Sequence, residues 1–296
     1  MKKGLMLVLA TAVISGVSIF LNKFAVSGIN SSVFTFSKNV AVALLIFSII
    51  VLFGRLNEVR QLTTKQWSLL AAVGLIGGSI PFLLFFKGLQ VTSSVTGSFI
   101  HKTMFVFVAV LAVIFLKEKL NKTILAAAAL LVAGNFFLLG INTISFDTGT
   151  LLILAATALW AGENVLSKHL LGSLSGNIVA FGRMFFGSLF ILAFLAASGQ
   201  LNLVAELTSK QLLWILATSL LLLFYVVTWY NGLKEVKVTV AASILTLGLP
   251  ITTLLNFAAG SAVTLHEITG IIMVAAGVTI ASLFSKVSLQ HSRSAQ

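Results

Sequence analysis

The apolar residues of this chain come in long runs separated by short polar joints. Ten such stretches, each close to the ~20 residues a helix needs to cross a bilayer, lie at roughly 4–22, 32–53, 67–89, 93–115, 123–141, 149–170, 176–198, 211–232, 238–260 and 265–285. The longest joint, 54–66, carries Arg55, Glu58, Arg60 and Lys65. The pattern predicts an all-α polytopic membrane protein of ten transmembrane helices with no sizeable extramembranous domain. Both prolines of the chain, Pro81 and Pro250, fall inside predicted spans. There, neighbouring helices must satisfy the carbonyl that a missing N–H leaves free.

Basic residues give the spans a direction, because cytoplasmic loops are enriched in Lys and Arg. With the N-terminus inside, thirteen fall in cytoplasmic segments: Lys2, Lys3, Arg55, Arg60, Lys65, Lys117, Lys119, Lys122, Lys168, Lys234, Lys237, Lys286 and Arg293. Only Lys23, Lys87 and Lys210 fall outside, and Lys38, Lys102 and Arg183 lie within spans. Both termini are therefore expected in the cytoplasm, with a prokaryotic inner membrane the expected location. Lys2-Lys3, the apolar Leu5–Ala10 and Ala10-Thr11-Ala12 also fit a cleavable signal peptide. The apolar stretch continues through Phe20 and has a counterpart in the second half, so it is read as the first span.

The spans repeat. Thr11-Ala12-Val13-Ile14-Ser15-Gly16 matches Thr157-Ala158-Leu159-Trp160-Ala161-Gly162, and Phe36-Ser37-Lys38 matches Phe181-Gly182-Arg183. Phe86-Lys87-Gly88-Leu89 matches Tyr230-Asn231-Gly232-Leu233, and Val132-Ala133-Gly134 matches Ala275-Ala276-Gly277. The offsets fall one residue at a time, 157 − 11 = 146, 183 − 38 = 145, 232 − 88 = 144 and 277 − 134 = 143, as a duplication with small loop deletions leaves them. The expected units are a first five-span repeat at 1–142, a second at 147–286 and a cytoplasmic tail at 287–296. Five is odd, so the two halves enter the membrane in opposite senses. That inverted-topology repeat is common among secondary transporters, whose binding site lies between the repeats.

Composition narrows the class further. Of 296 residues, 58% are hydrophobic and 9% charged, against about 25% charged in a soluble domain; mean hydropathy is +1.10. A net charge of +12 in a soluble protein would suggest nucleic acid, but here the cations cluster in the joints and suit an anionic membrane surface. The chain has no cysteine, and its four histidines, His101, His169, His266 and His291, have no metal-ligand spacing. No metal, no cofactor and no nucleic-acid partner is expected; the expected partners are the lipid bilayer and a small-molecule substrate, in a monomer or homodimer. No ATP-binding motif is present, so a gradient or exchange must supply energy.

At this level the chain resembles the drug/metabolite transporter superfamily, in its EamA-type ten-span branch, from about 5 to 285. The resemblance rests on the small-residue first span ending Asn22-Lys23, the basic residue early in spans two and seven (Lys38, Arg183) and Pro81-Phe82-Leu83. It also rests on Leu116-Lys117-Glu118-Lys119-Leu120, Trp229-Tyr230, Pro250 and the Gly134/Gly277 pair. It implies a transporter of a small organic metabolite, such as an amino acid or organic acid. Three positions depart from the family: Lys38 replaces an arginine, His101-Lys102-Thr103-Met104 lacks a proline mirroring Pro250, and Ser261 stands where Glu118 would repeat.

Charge inside a span is costly, so each such residue is a candidate for function. Lys102, expected midway along span four, is a candidate cavity cation. His101 is its sequence neighbour, about 100° away around a helix, so the two are not expected to face one groove squarely; His101 binds substrate or hydrogen-bonds a neighbouring helix. Glu163 is the only acid within a span, and Trp160, Glu163 and Ser167 share a face, with Asn164 adjacent. Glu163 is a candidate proton-coupling group, or a structural partner of Arg183, or both. Lys38 and Arg183 are repeat mates that anchor the halves or contact substrate. The excess of buried cations hints at a substrate bearing a carboxylate or phosphate. Trp229 and Tyr230 form a stacking wall or, as the favoured reading, part of the interfacial aromatic belt. The candidate set is thus Lys102, His101, Trp160, Asn164, Trp229 and Tyr230 for substrate, with Glu163 and Arg183 for coupling, and no catalytic residue. A membrane-embedded lipid-modifying enzyme would need a polar cluster at one interface, and a non-transporting scaffold would carry a soluble domain; the sequence offers neither.

Overall fold

The computed structural model describes residues 2–26, 28–92, 99–118, 122–139, 147–260, 262 and 264–293. Lys119, Leu120 and Ser261, and the expected span residues 93–98 and 140–141, lie outside these. In the first half, α1 (Lys2–Ala25) and α2 (Ser31–Leu52) are followed by a one-turn α3 (Leu56–Arg60). The third span is α4 (Thr64–Val73), a π-helical turn at Gly74–Ser79, and α5 (Ile80–Val91); α6 (Met104–Leu116) and α7 (Lys122–Leu139) complete the half. The second half has α8 (Thr148–Leu170), α9 (Gly176–Ala197), α10 (Ser209–Glu235), α11 (Val238–Leu245), α12 (Gly248–Ala258) and α13 (Leu265–Arg293).

Eight of the spans so formed are long and apolar enough to cross a membrane, and two shorter apolar helices, Leu125–Leu138 and Leu265–Ala281, stand in the fifth and tenth places. No strand occurs among the described residues. The surface is inverted relative to a soluble protein: Leu52 is 83% exposed, Phe115 69% and Leu213 68%, while Glu163 is 1% exposed. Large apolar side chains outside and charges inside suit a hydrocarbon solvent.

Helix packing follows a two-fold exchange of the halves. α1 packs on α10 and α12, and its repeat mate α8 packs on α5 and α6. α2 pairs with α9, α6 with α11 and α7 with α13, each a helix with its own mate. Glycines mark the closest crossings, where small residues let backbones approach. A Cβ on Gly88 would lie 2.8 Å from the Gly149 carbonyl oxygen, and one on Gly232 would lie 3.1 Å from that of Gly4. Gly88 and Gly232 are repeat mates, as are Gly4 and Gly149, so one contact is made twice.

The joints repeat as well. Thr63 and Gln66 form a reciprocal capping box at the start of α4, and Thr208 and Gln211 form the same box at the start of α10. Each satisfies backbone N–H groups that a helix start leaves unpaired. The offset, 208 − 63 = 145, places these caps in register with the four anchors within the spans.

Three spans are interrupted. The third has its π turn just before Pro81. The fourth tightens at Thr103, whose N–H reaches the carbonyls of both Phe99 and Ile100 at 3.1 Å. The ninth breaks at Thr246-Leu247, between α11 and α12. Thr103 and Thr246 are 143 residues apart, so spans four and nine break at matching points of the two repeats. The break in span four forms without a proline.

Candidate functional site

Pro81 has no N–H to offer the Gly77 carbonyl four residues earlier. That carbonyl accepts two side-chain hydrogen bonds from the other half, from Trp160 Nε1 at 3.0 Å and Arg183 Nη2 at 3.1 Å. Gly77 is also where Glu163 lies against the backbone: a Cβ there would sit 2.3 Å from Glu163 Cγ. The π turn, the proline and the glycine thus open a seat on span three for three polar side chains of α8 and α9.

Within that seat, Glu163 Oε1 accepts from Ser167 Oγ at 2.5 Å and from Tyr230 OH at 2.7 Å. Tyr230 OH in turn accepts from Arg183 Nη1 at 3.1 Å, and Glu163 Oε2 lies 3.9 Å from the same nitrogen. The tyrosine hydroxyl therefore stands between the acid and the base as a hydrogen-bonded link. Arg183 Nε is buried with no hydrogen-bond partner among the described residues. The sequence brought Glu163 and Arg183 together as a pair; the geometry adds Tyr230 as the bridge and Gly77 as the base's second acceptor.

Tyr230 and Trp229 are both fully buried, which corrects their expected place in an interfacial belt. α10 runs on to Glu235, so the pair sits more than a turn inside its end. Trp229 Nε1 donates to Asn164 Oδ1 at 3.2 Å, and Asn164 Nδ2 reaches Met104 Sδ at 3.7 Å. Asn164 thereby ties α8 to α10 and to the first residue of α6. Tyr225 stacks on Trp229, with ring centroids 6.4 Å apart. On the other side, His101, Phe85 and Trp160 form an aromatic cluster: the His101 ring lies 5.0 Å from Trp160 and 5.4 Å from Phe85, centroid to centroid.

A cavity of about 20 Å³ opens beside these groups, room for about one water. Its walls come from the two broken spans, with His101, Lys102 and Met104 from span four and Leu245 and Thr246 from span nine. Ser15 of α1 and Tyr225 of α10 complete its polar lining. His101 and Lys102 thus both line one cavity, from directions about 100° apart around the helix. The cavity sits beside the turn at Thr103, directly after them. Lys102 is buried and has no hydrogen-bond or ion-pair partner among the described residues.

Lys38 takes no part in this. It lies two turns into α2, donating to Asn22 Oδ1 at 3.0 Å and standing 4.6 Å above the centre of the Phe34 ring. Its mate Arg183 sits in the central seat, so the symmetry of sequence is not a symmetry of partners. Sequence reasoning passed over Gly77, Ser15 and Tyr225; the juxtaposition of Gly77 and Gly78 with Pro81 was the one signal of the first.

Comparison with known proteins accords with this architecture. The pattern of the EamA-like transporter family matches residues 2–140 and again 147–283. An uncharacterized transporter of Bacillus subtilis, YyaM, is 24% identical over 295 residues, covering 93% of this chain and 92% of that protein. A second uncharacterized transporter, from the cobO 3' region of a Sinorhizobium species, is 28% identical over 130 residues, 44% of this chain but 92% of its own length. That relative is roughly one repeat long. A solved crystal structure has the same fold, with a TM-score of 0.79 and 16% identity over 96% of this chain and 99% of that one. Two matches to one family, one in each half, account for nearly the whole chain: it is an integral membrane protein that belongs to the EamA-like transporter family.

Proposed function

We propose that the protein is a secondary transporter that moves a small organic metabolite across a prokaryotic inner membrane by alternating access, with both termini in the cytoplasm. The observation that carries this reading is the cavity between two helices broken at matching points of opposed repeats. Interrupted spans in corresponding positions are where such transporters place their substrates, because a broken helix presents polar groups inside the membrane. The halves exchange under the two-fold relation, so rocking one against the other opens the cavity first to one side and then to the other. In the state described the cavity has room for about one water.

Coupling to protons is assigned to Glu163. A proton on this carboxylate removes the negative charge facing Arg183, and the hydrogen-bonded Tyr230 transmits the change to α10, whose Tyr225 lines the cavity. Purified protein in liposomes is the test: substrate counterflow without nucleotide, accelerated by an imposed pH gradient, is expected. Counterflow that stays absent across amino acids, organic acids and nucleosides would sink the reading.

A further inference from the structure

The cavity has a definite polarity. Beside the His101 ring, its polar lining includes the Lys102 ammonium, which can only donate hydrogen bonds, and the hydroxyls of Ser15 and Tyr225, each of which can donate or accept. None of the three hydrogen-bonds to another described residue. The one other hydroxyl, Thr246 Oγ1, is turned to the Ser243 carbonyl at 2.6 Å. All seven acids of the chain are accounted for: Glu58, Glu118, Asp147, Glu206, Glu235 and Glu267 lie outside the cavity lining, and Glu163 is held by Ser167, Tyr230 and Arg183.

Arg183 and Lys38, the other cations set deep in the spans, both have partners, though only Arg183 has a counter-charge. Arg183 faces Glu163, and Lys38 rests on Asn22 and the Phe34 ring. Lys102 is the one of the three with no hydrogen-bond or ion-pair partner among the described residues. A buried cation without a counter-charge is strongly disfavoured in a membrane, and with no acid in the lining the group that completes this cavity is an anion. An amino group placed here would meet no acid and would stand against Lys102. The remaining walls, Met104, Phe105 and Leu245, are apolar.

We infer that this transporter's substrate is a monocarboxylate without an amino group, its carboxylate held by Lys102, Ser15 and Tyr225 and its apolar body against Met104, Phe105 and Leu245. The inference rests on the transport reading for its biological sense, but it concerns binding and is tested by binding. It makes Lys102 the counter-charge that the substrate neutralises as the halves close, so that the occluded complex carries no net charge in the cavity. An amine finds no acid in this lining, and the ammonium of an amino acid would stand against the Lys102 cation that attracts its carboxylate.

The experiment uses the full-length protein in detergent and two matched series that differ only at the head group: 3-phenylpropanoate, phenylalanine and 2-phenylethylamine, then hexanoate, norleucine and hexylamine. Thermal stabilisation by the two acids, and by neither amine nor amino acid, is expected. Lys102→Met should weaken the acids' half-saturation by roughly tenfold or more, the worth of a charge-assisted hydrogen bond, while Lys102→Arg keeps the preference for acids. Tyr225→Phe, which removes only a donor, should weaken them less. Stabilisation by phenylalanine, norleucine or either amine, no stabilisation by any of the six, or acid binding that survives Lys102→Met would each overturn the proposal. The two readings fail separately. Lys102-dependent acid binding without flux in liposomes would refute transport and leave the site; flux of an amine or amino acid that ignores Lys102 would refute the site and leave transport.

Discussion

Glu163→Gln isolates the charge of the central carboxylate, since glutamine keeps the length and the branching of the side chain. Its carbonyl oxygen can still accept from Ser167 and Tyr230, as Oε1 does at 2.5 and 2.7 Å. What disappears is the attraction between Oε2 and Arg183 Nη1 across 3.9 Å, replaced by an amide that points donors at a cation. With an effective dielectric of about 20, two unit charges at this separation attract by about 4 kcal/mol, and removing one partner of a buried pair costs roughly 3–5 kcal/mol. A loss near 3–4 kcal/mol corresponds to a fall in melting temperature of roughly 6–16 °C by the scaling for domains of 150–250 residues. Adding Arg183→Met removes the stranded cation as well, and the double variant should recover most of that loss. The assay is thermal unfolding in detergent of wild type, both single variants and the double, run beside pH-gradient-driven flux in liposomes. Flux should lose its response to the gradient in Glu163→Gln. A Glu163→Gln protein as stable as wild type and fully responsive to the gradient would refute both the pairing energy and the coupling role.

Four further outcomes follow from the geometry. Cysteine at Ser209 should label from outside intact cells and cysteine at Asn57 only after permeabilisation; labelling of Asn57 in intact cells would reverse the orientation. Lys102→Met should raise the melting temperature of the ligand-free protein, because it deletes an unpartnered buried charge whose insertion costs at least ~2.5–3.5 kcal/mol, while abolishing counterflow; a lower melting temperature would mean Lys102 has a structural partner. Gly88→Leu and Gly232→Leu should each destabilise by roughly 1–3 kcal/mol or more through overpacking, and by similar amounts, since they crowd the same crossing in the two halves; a neutral effect of either would break the claimed equivalence. Thr63→Ala and Thr208→Ala should each cost about 1 kcal/mol, read as matching shifts in unfolding temperature.

Run length and charge placement made the helical class and the membrane setting legible, because both depend on composition along the chain and not on partners. The repeat was legible for the same reason, although the search within spans passed over the Thr63 and Thr208 capping boxes in the joints. The break at Thr103 was not legible. His101-Lys102-Thr103-Met104 contains neither glycine nor proline, and only Pro250 in the mate announces an interruption. The two donors to the Gly77 carbonyl were hidden by distance along the chain, 83 residues for Trp160 and 106 for Arg183. Trp229 and Tyr230 were misplaced because position along a span does not show which neighbours a side chain meets: Trp229 packs on Asn164 and Tyr230 on Glu163 and Arg183, all distant in sequence.

The glycine crossings and the helix pairings that join the two halves bear on how the protein is made. The tightest helix packings join opposite repeats, so the first five spans leave the ribosome without the partners that bury their polar groups. Gly77 then has no Trp160 or Arg183, and Gly4 has no Gly232. The early half must wait in the lipid as loosely associated helices until the second arrives inverted, and assembly completes as one event spanning the whole chain. A nascent chain stalled after span five is accordingly an orphan and a target for membrane proteases, while co-expression of the two halves as separate polypeptides should restore a folded protein.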